Sequence, residues 1–440
     1  MYAISDSDAF PNERESVQRL APQPRTVRDT GLADNFLGDL VCKHLHDAGV
    51  LDMSRLVERL ALPGTVLEEI LAFLRKDGRI EVLGQTGGQS MRYGLTERGR
   101  GAARDALGRS GYIGAAPFPV SAYRSLLKVQ TIHHGRVTAR DMHSAFQGVV
   151  LADSMLDKLG VALNSGRAIM IYGPAGTGKT YISSRLIRLF AEAIWVPHAI
   201  AVNEAVIEVY DPQVHQRLDD NPQQNKLLLD EGIDRRLVCC KRPIVITGGE
   251  LSMEQLDIRY DPSSRLYQAP LQLKASNGLF IIDDMGRQRM APAQLLNRWI
   301  VPMEEKRDFL NLGGGRHCEL PFDLVLVFST NLNPLELADE AFLRRIGYKL
   351  HFNYLQPEEY ERIWRQETER LGIPFDPVLL RYVLMGLYEP QGMPLVPCHP
   401  RDLLGMALDR QRYLDDSGPL SPRELEWAWQ NYFVQLDSLG

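Results

Sequence analysis

The 440-residue sequence contains no apolar run of about 18 residues, so no membrane span is expected. Its first eight residues lack the basic and apolar regions of a signal peptide. The five cysteines, Cys42, Cys239, Cys240, Cys318 and Cys398, form no C-x-x-C pair and no zinc spacing with histidine. They read as reduced thiols of a cytosolic protein. Charge of one sign is also scarce: 50 basic and 56 acidic side chains leave a formal net charge of −6. That argues against a whole-chain electrostatic grip on nucleic acid and leaves room only for a local basic patch. What remains is a soluble, cytoplasmic globular chain, long enough for more than one domain.

The stretch that organises the chain is Gly173-Pro174-Ala175-Gly176-Thr177-Gly178-Lys179-Thr180. It fits G-x-x-x-x-G-K-[ST] at every fixed position. Residues 168–172 before it form a short apolar run suited to a buried strand, and residues 181–190 after it read as a helix. The glycines let the backbone wrap closely around phosphate oxygens. The wrapped N–H groups and the helix start present partial positive charge to an anion. Lys179 is expected on the β- and γ-phosphates of ATP, and the Thr180 hydroxyl on Mg²⁺.

A second apolar run, 279–282, ends in Asp283 and Asp284. Carboxylates at the C-terminal end of a buried parallel strand fall on the ligand edge of an α/β sheet. Asp283 is the expected Mg²⁺-associated acid and Asp284 the expected general base on water, one methylene shorter than the Glu common at such a position. A third run, 324–330, is followed by Asn331.

Read in order, residues 1–30 are polar and rich in Pro, Arg and Asp, and are expected to form a flexible tail. Residues 31–110 pattern as three helices (35–45, 52–60 and 66–74), two short strands (79–83 and 90–95) around a glycine-rich tip, and a closing helix from 96. This order, with the ending Tyr93-Gly94-Leu95-Thr96-Glu97-Arg98-Gly99, resembles a winged helix-turn-helix domain of bacterial regulators. Glu68 and Glu69 on its third helix oppose entry into a groove walled by phosphates, and Arg75 and Lys76 come only at the helix end. Arg92, Arg98, Arg100 and Arg104 leave backbone contact open, so docking to protein is favoured and DNA is kept as the alternative. Residues 111–137 read as a linker, 138–353 as the nucleotide-binding core and 354–440 as a helical lid with helices starting near 358, 378, 399 and 421. Extra strands are expected near 194–202 and 242–250.

From the Thr330-Asn331 strand end onward the chain resembles the AAA+ ATPases, over residues 138–435. The fold so implied is α/β: a P-loop core of parallel sheet flanked by helices, with a C-terminal helical lid. The resemblance makes Asn331 the sensor 1 residue that positions water. It makes Arg344 and Arg345, in Asp339-Glu340-Ala341-Phe342-Leu343-Arg344-Arg345, equal candidates for the arginine finger that reaches a neighbouring subunit's site. It makes Arg401, in Pro400-Arg401-Asp402, the sensor 2 arginine of the lid. Pro400 suits the first turn of a helix. The Asp-Asp pair is similar to helicase loaders and replication initiators, and the turn 311–316 to the hairpin insertion of MoxR proteins and enhancer-binding activators. The Gly-Ala-Phe-Thr-Gly-Ala signature of those activators is absent, and so is a convincing aromatic-apolar-Gly pore loop. The resemblance therefore implies Mg²⁺-dependent ATP hydrolysis in a ring or helical self-assembly. A protein partner would be docked through residues 31–110; the rival reading is a nucleic-acid-associated loader or DNA-bound regulator.

Overall fold

The structure is a computed structural model, and it describes residues 11–85, 91–218, 232–313, 315–416 and 418–433. It divides into two compact units. One comprises Met1–Arg136, Ile187–Ile282 and Arg287–Leu326; the other comprises Val137–Leu186, Asp283–Gly286 and Val327–Gly440.

The first unit opens with the segment expected to be a flexible tail. From residue 11 it is instead ordered. Helix Pro11–Leu20 sets Val17 and Ala21 into an apolar core shared with Ile194, Val196 and Ile233. Beyond it the backbone pairs with a distant stretch: Asp234 N–H donates to Ala21 O at 3.0 Å and Gln23 N–H to Gly232 O at 2.7 Å. Arg236 and Asp234 form an ion pair at 2.7 Å, each side chain only 2% exposed. Arg236 also donates to Thr30 O at 2.9 Å and Pro117 O at 3.1 Å. A buried guanidinium is tolerable because its charge is paired and its donors are used. The polar composition of 11–30 concealed this because the partners of its Ala21, Gln23 and Thr30 backbone groups lie more than 200 residues away. The first ten residues of the expected tail lie outside the described residues.

Residues 34–109 follow the expected order with one addition. Helices Asp34–Ala48, Met53–Leu60 and Gly64–Lys76 precede strands Ile80–Gln85 and Met91–Leu95 and helix Glu97–Arg109. A short strand, Val50–Asp52, adds to the pair, giving a three-stranded sheet with Met91–Leu95 in the middle. Asp52 caps the second helix by accepting from Arg55 N–H, and Thr96 caps the last by accepting from Gly99 N–H. Gly99 has no alternative: a Cβ there would lie 1.9 Å from Arg79 O. The core is aliphatic, with Leu37, Leu56, Leu60, Leu67 and Leu74 fully buried.

Residues 111–136 are not a linker. Phe118–Pro119 pairs in parallel with Ala199–Val202, and helix Val120–Val129 buries Tyr123, Leu126 and Leu127. The long interval after the P-loop supplies the extra strands: Ala193–Pro197 pairs with Leu237–Lys241, and Ala199–Val202 with Ala205–Glu208. Ile244–Thr247 runs parallel to Leu279–Ile282, and Arg307–Asn311 with His317–Pro321 makes the hairpin at the glycine-rich turn. The expected 138–353 core is thus divided. Its inserted strands share a core with the N-terminal segments, and its P-loop groups fall in one unit with the lid.

In the second unit the P-loop strand Ile169–Tyr172 is the middle of a parallel trio. Residues 327–330 of strand Val325–Thr330 pair with it on one side and Tyr348–His351 on the other. Helices Ala139–Ala145 and Asp153–Asn164 lead into it, the first closed by a Thr138–Asp141 capping box. The lid helices are Pro357–Leu371, Pro377–Tyr382 (continued by a π-helical stretch, Val383–Tyr388), His399–Tyr413 and Pro422–Tyr432. Proline opens each of the four named α-helices at its first or second position, where no backbone N–H is needed. No helix among the described residues is long and apolar enough to cross a membrane. All five cysteines are unbridged.

Candidate functional site

Strand Ile169–Tyr172 is buried at its first three residues, and its end delivers the loop 173–178 to helix Lys179–Arg185. All three glycines of the loop have a positive φ (83° at Gly178), and at two of them a Cβ would also clash. Gly173 has φ 143°, and a Cβ there would sit 1.9 Å from Phe352 O. Gly176 has φ 78°, and its Cβ would meet Val396 Cγ1 at 2.7 Å and Cys398 Sγ at 3.0 Å. The second contact is unannounced in the sequence. It brings the residues just before helix His399–Tyr413 against the phosphate loop.

Within the loop Thr177 Oγ1 donates to Pro174 O at 2.9 Å. Lys179 is buried, and its Nζ donates to Gly173 O at 2.8 Å and Pro174 O at 2.6 Å. The ammonium therefore curls over the loop's own carbonyls. Burial lowers its pKa, and the negative charges of Asp283 and Asp284 oppose that shift. Thr180 Oγ1 donates to Asp283 Oδ2 at 2.6 Å. Residues 103 apart in sequence thus meet as a hydroxyl–carboxylate pair.

The segment Asp283–Gly286 is a tight reversal. Asp283 Oδ1 accepts from Asp284 N–H at 2.9 Å, and Asp284 has φ 46°, a left-handed conformation tolerated by Asp. Met285 N–H donates to Ser329 O at 2.9 Å, and Thr330 Oγ1 donates to Met285 O at 2.8 Å. These two bonds tie the reversal to the end of the neighbouring strand. Gly286, φ 102°, leaves room for Leu332 and Leu337, whose methyls would lie 2.7 Å from a Cβ. The outcome is that Asn331 Nδ2 donates to Asp284 Oδ1 at 3.0 Å. Strain at one backbone position aims the second carboxylate at the asparagine.

Lys179, Thr180, Asp283, Asp284 and Asn331 are thus brought together. Among the described residues, Arg344 and Arg401 are not bonded into that group. Arg344 pairs with Glu340 at 3.5 Å on its own helical turn and keeps its side chain 80% exposed. Arg345 donates from Nη1 to Ala341 O at 2.9 Å. The geometry does not choose between them. Arg401 stands in the first turn of helix His399–Tyr413, three residues beyond Cys398, and its Nε donates to Asp402 Oδ1 at 2.9 Å. Asp402 also accepts from Tyr432 OH at 3.1 Å. Sequence reasoning missed Val396, Cys398, Asp402 and Tyr432, because nothing in their local spacing marks them.

A phosphate loop at the end of a central parallel strand and a carboxylate pair facing it define an α/β P-loop core of parallel strands flanked by helices. Comparison with known proteins adds the following. Residues 356–431, the lid helices, match a family model described as a domain of unknown function, DUF8689. No curated protein matches the sequence. Among solved structures, the chain is similar to the Thermotoga maritima RuvB Holliday junction branch migration motor: 12% identity, TM-score 0.36, covering 65% of this chain and 70% of that one. It is similar to NtrX from Brucella abortus at 14% identity and TM-score 0.38, over 73% of this chain and 66% of the other. The FIGL-1 AAA domain in complex with ADP matches at 15% identity and TM-score 0.31, over 67% and 82%.

Proposed function

We propose that the chain is a cytoplasmic Mg²⁺-dependent ATPase whose subunits share active sites and which remodels a protein partner docked through residues 31–110, a winged-helix-like domain. The observation that carries the reading is the convergence of Thr180 on Asp283 and of Asn331 on Asp284 beside Lys179. A hydroxyl and a carboxylate oxygen 2.6 Å apart are a donor set that suits a hard cation keeping most of its waters. Thr180 and Asp283 would hold Mg²⁺, which supplies Lewis-acid stabilisation of phosphate charge. The glycines and Pro174, Ala175 and Thr177 of the loop would cradle the phosphates of ATP. Lys179 would exchange its bonds to Gly173 O and Pro174 O for phosphate oxygens. Asp284, one carboxylate oxygen fixed by Asn331, would take the proton of the attacking water on the other. Arg401 would reach the nucleotide from the lid, and Arg344 or Arg345 would complete a neighbour's site.

The test is ATP hydrolysis against protein concentration for wild type, Lys179→Ala and Arg344→Ala/Arg345→Ala. Specific activity that rises with concentration, with both variants inactive, is expected. Constant specific activity with an unaffected arginine variant would sink the shared site.

The nucleic-acid reading is disfavoured by the third helix of the N-terminal domain. Glu69 Oε2 accepts from Val27 N–H at 2.9 Å, so this exposed helix face already engages Val27 of the same chain. Filter binding of duplex DNA at two salt concentrations separates the readings. Tight binding with a steep salt slope would favour the loader or DNA-bound regulator.

A further inference from the structure

The first turn of the lid helix His399–Tyr413 carries an arrangement that the helix itself does not demand. Adjacent residues on a helix do not face each other. Yet Arg401 folds its side chain so that Nε, rather than a terminal nitrogen, donates to Asp402 Oδ1 at 2.9 Å. Arginine has five N–H donors in a planar fork. Among the described residues only the Nε–H of Arg401 is engaged, and the side chain is 62% exposed. The end-on edge, made of one N–H from each terminal nitrogen, therefore stays unoccupied among the described residues. Asp402 is itself held. Its second oxygen accepts from Tyr432 OH at 3.1 Å, and its side chain is 25% exposed.

Tyr432 is fixed in turn. Its ring packs edge-on against His399, centroids 5.4 Å apart, and against Phe433 at 4.9 Å. His399 Nδ1 bonds Tyr388 OH at 2.8 Å, and Tyr388 OH bonds Tyr360 OH at 2.9 Å. Tyr432 OH also lies 3.8 Å from Cys398 Sγ, the atom that abuts Gly176 of the phosphate loop. One continuous polar and aromatic chain thus runs from the middle of the lid to the Arg401 guanidinium, three residues beyond the Cys398 that abuts the phosphate loop.

We infer that Asp402 and Tyr432 are positioning residues: they orient the Arg401 guanidinium so that its terminal N–H groups meet the terminal phosphate, which makes the lid distinguish a nucleoside triphosphate from a diphosphate. The inference rests on the reading of Arg401 as a nucleotide contact. It follows from charge as well as geometry. A carboxylate at Nε fixes the fork while leaving its bidentate edge for an anion. Without it the arginine would have to be ordered by the nucleotide itself, at an entropic cost.

The experiment measures equilibrium binding of Mg²⁺·AMP-PNP and Mg²⁺·ADP to the full chain. The variants are Arg401→Ala, Asp402→Asn, Tyr432→Phe and Arg401→Ala/Asp402→Asn, with Lys179→Ala as the reference. Asp402→Asn is expected to weaken AMP-PNP about tenfold, the scale of one hydrogen bond to a charged group, with ADP unchanged. Tyr432→Phe, which keeps the packed ring, should move AMP-PNP in the same direction by less. The double variant should bind no more weakly than Arg401→Ala alone. A loss that is equal for both nucleotides, or that adds fully to Arg401→Ala, would mean a merely structural role and overturn the inference. So would unchanged binding in both Asp402→Asn and Tyr432→Phe. If Arg401→Ala itself leaves AMP-PNP binding intact while Lys179→Ala abolishes it, the nucleotide role of Arg401 fails at its root, a result distinct from failure of the positioning pair.

Discussion

The two ends of the described chain each build a helical core, and the cores differ in kind. Residues 34–109 bury an aliphatic set, Leu37, Leu45, Leu56, Leu60, Leu67 and Leu74. The lid adds Tyr360, Trp364, Tyr388, His399 and Trp429 to its own leucines, and hydrogen bonds join Tyr360, Tyr388 and His399 in series. An aliphatic core is non-directional: it stabilises by area and shape. A core of hydroxyl, imidazole and indole groups also fixes directions, because each buried polar atom needs its partner in one place. The N-terminal core thus suits a scaffold, and the lid core suits an element that must hold one arginine in one orientation.

The contrast can be broken by substitution. Trp429→Ala should cost about 4 kcal/mol of lid stability and also weaken triphosphate binding, because the wall behind Tyr388 and Phe433 goes with it. Leu56→Ala, at a fully buried position, should cost about 3 kcal/mol yet leave nucleotide affinity per folded molecule unchanged. Thermal melts paired with binding isotherms check both, and a loss of affinity in Leu56→Ala would erase the distinction. Tyr388→Phe removes no packing but strips a partner from both Tyr360 OH and His399 Nδ1. About 1–2 kcal/mol should be lost, confined to the lid transition.

How much of this was legible in the sequence follows from distance along the chain. The phosphate loop is eight contiguous residues, and Asp283, Asp284 and Asn331 each mark the end of an apolar strand, so local pattern was enough. The lid helices announced themselves by proline and periodicity. The segment 11–30 did not, because Val17, Ala21 and Val27 are its few buried apolar anchors and the partners of its Ala21 and Gln23 backbone groups are residues 232–234. Asp402 was visible only as the neighbour of Arg401. Its role depends on Tyr432, thirty residues away on another helix. The Asn331–Asp284 bond depends on a left-handed Asp that no composition rule predicts.

Acidity and alkalinity sharpen the comparison further. Burial lowers the pKa of His399 below its usual 6.5. The unfolded lid then binds the proton more readily, so lid stability should be intact above about pH 6.5 and fall as pH drops below it. His399→Phe should flatten that slope. Lys43, whose Nζ donates to Ser110 O at 2.6 Å, has its pKa pushed down to about 8, chiefly by burial. Between there and its ordinary 10.5 the unfolded chain again holds more protons. The N-terminal domain should therefore gain stability as pH rises through that window, and Lys43→Met should abolish the gain. Opposite signs in pH-resolved melts would contradict the burial of these two groups. The smallest effect is at Arg344. Its exposed pair with Glu340 contributes little to stability, so Arg344→Ala should leave both melts in place whatever it does to hydrolysis.

The buried Arg236 has a bearing on how the chain is made. It joins Asp234 to Thr30 O, a partner 206 residues earlier, and the aliphatic core of the N-terminal domain also takes in Ala199 and Val206. A ribosome releases Thr30, Val17 and Ala21 long before it has synthesised the residues that cover them. Through that interval the first hundred residues carry an unfinished surface, and the P-loop emerges before its predecessor is complete. Translation order and folding order are therefore out of step, because the core around Val17 and Ala21 takes in residues as late as Leu310 and Leu320.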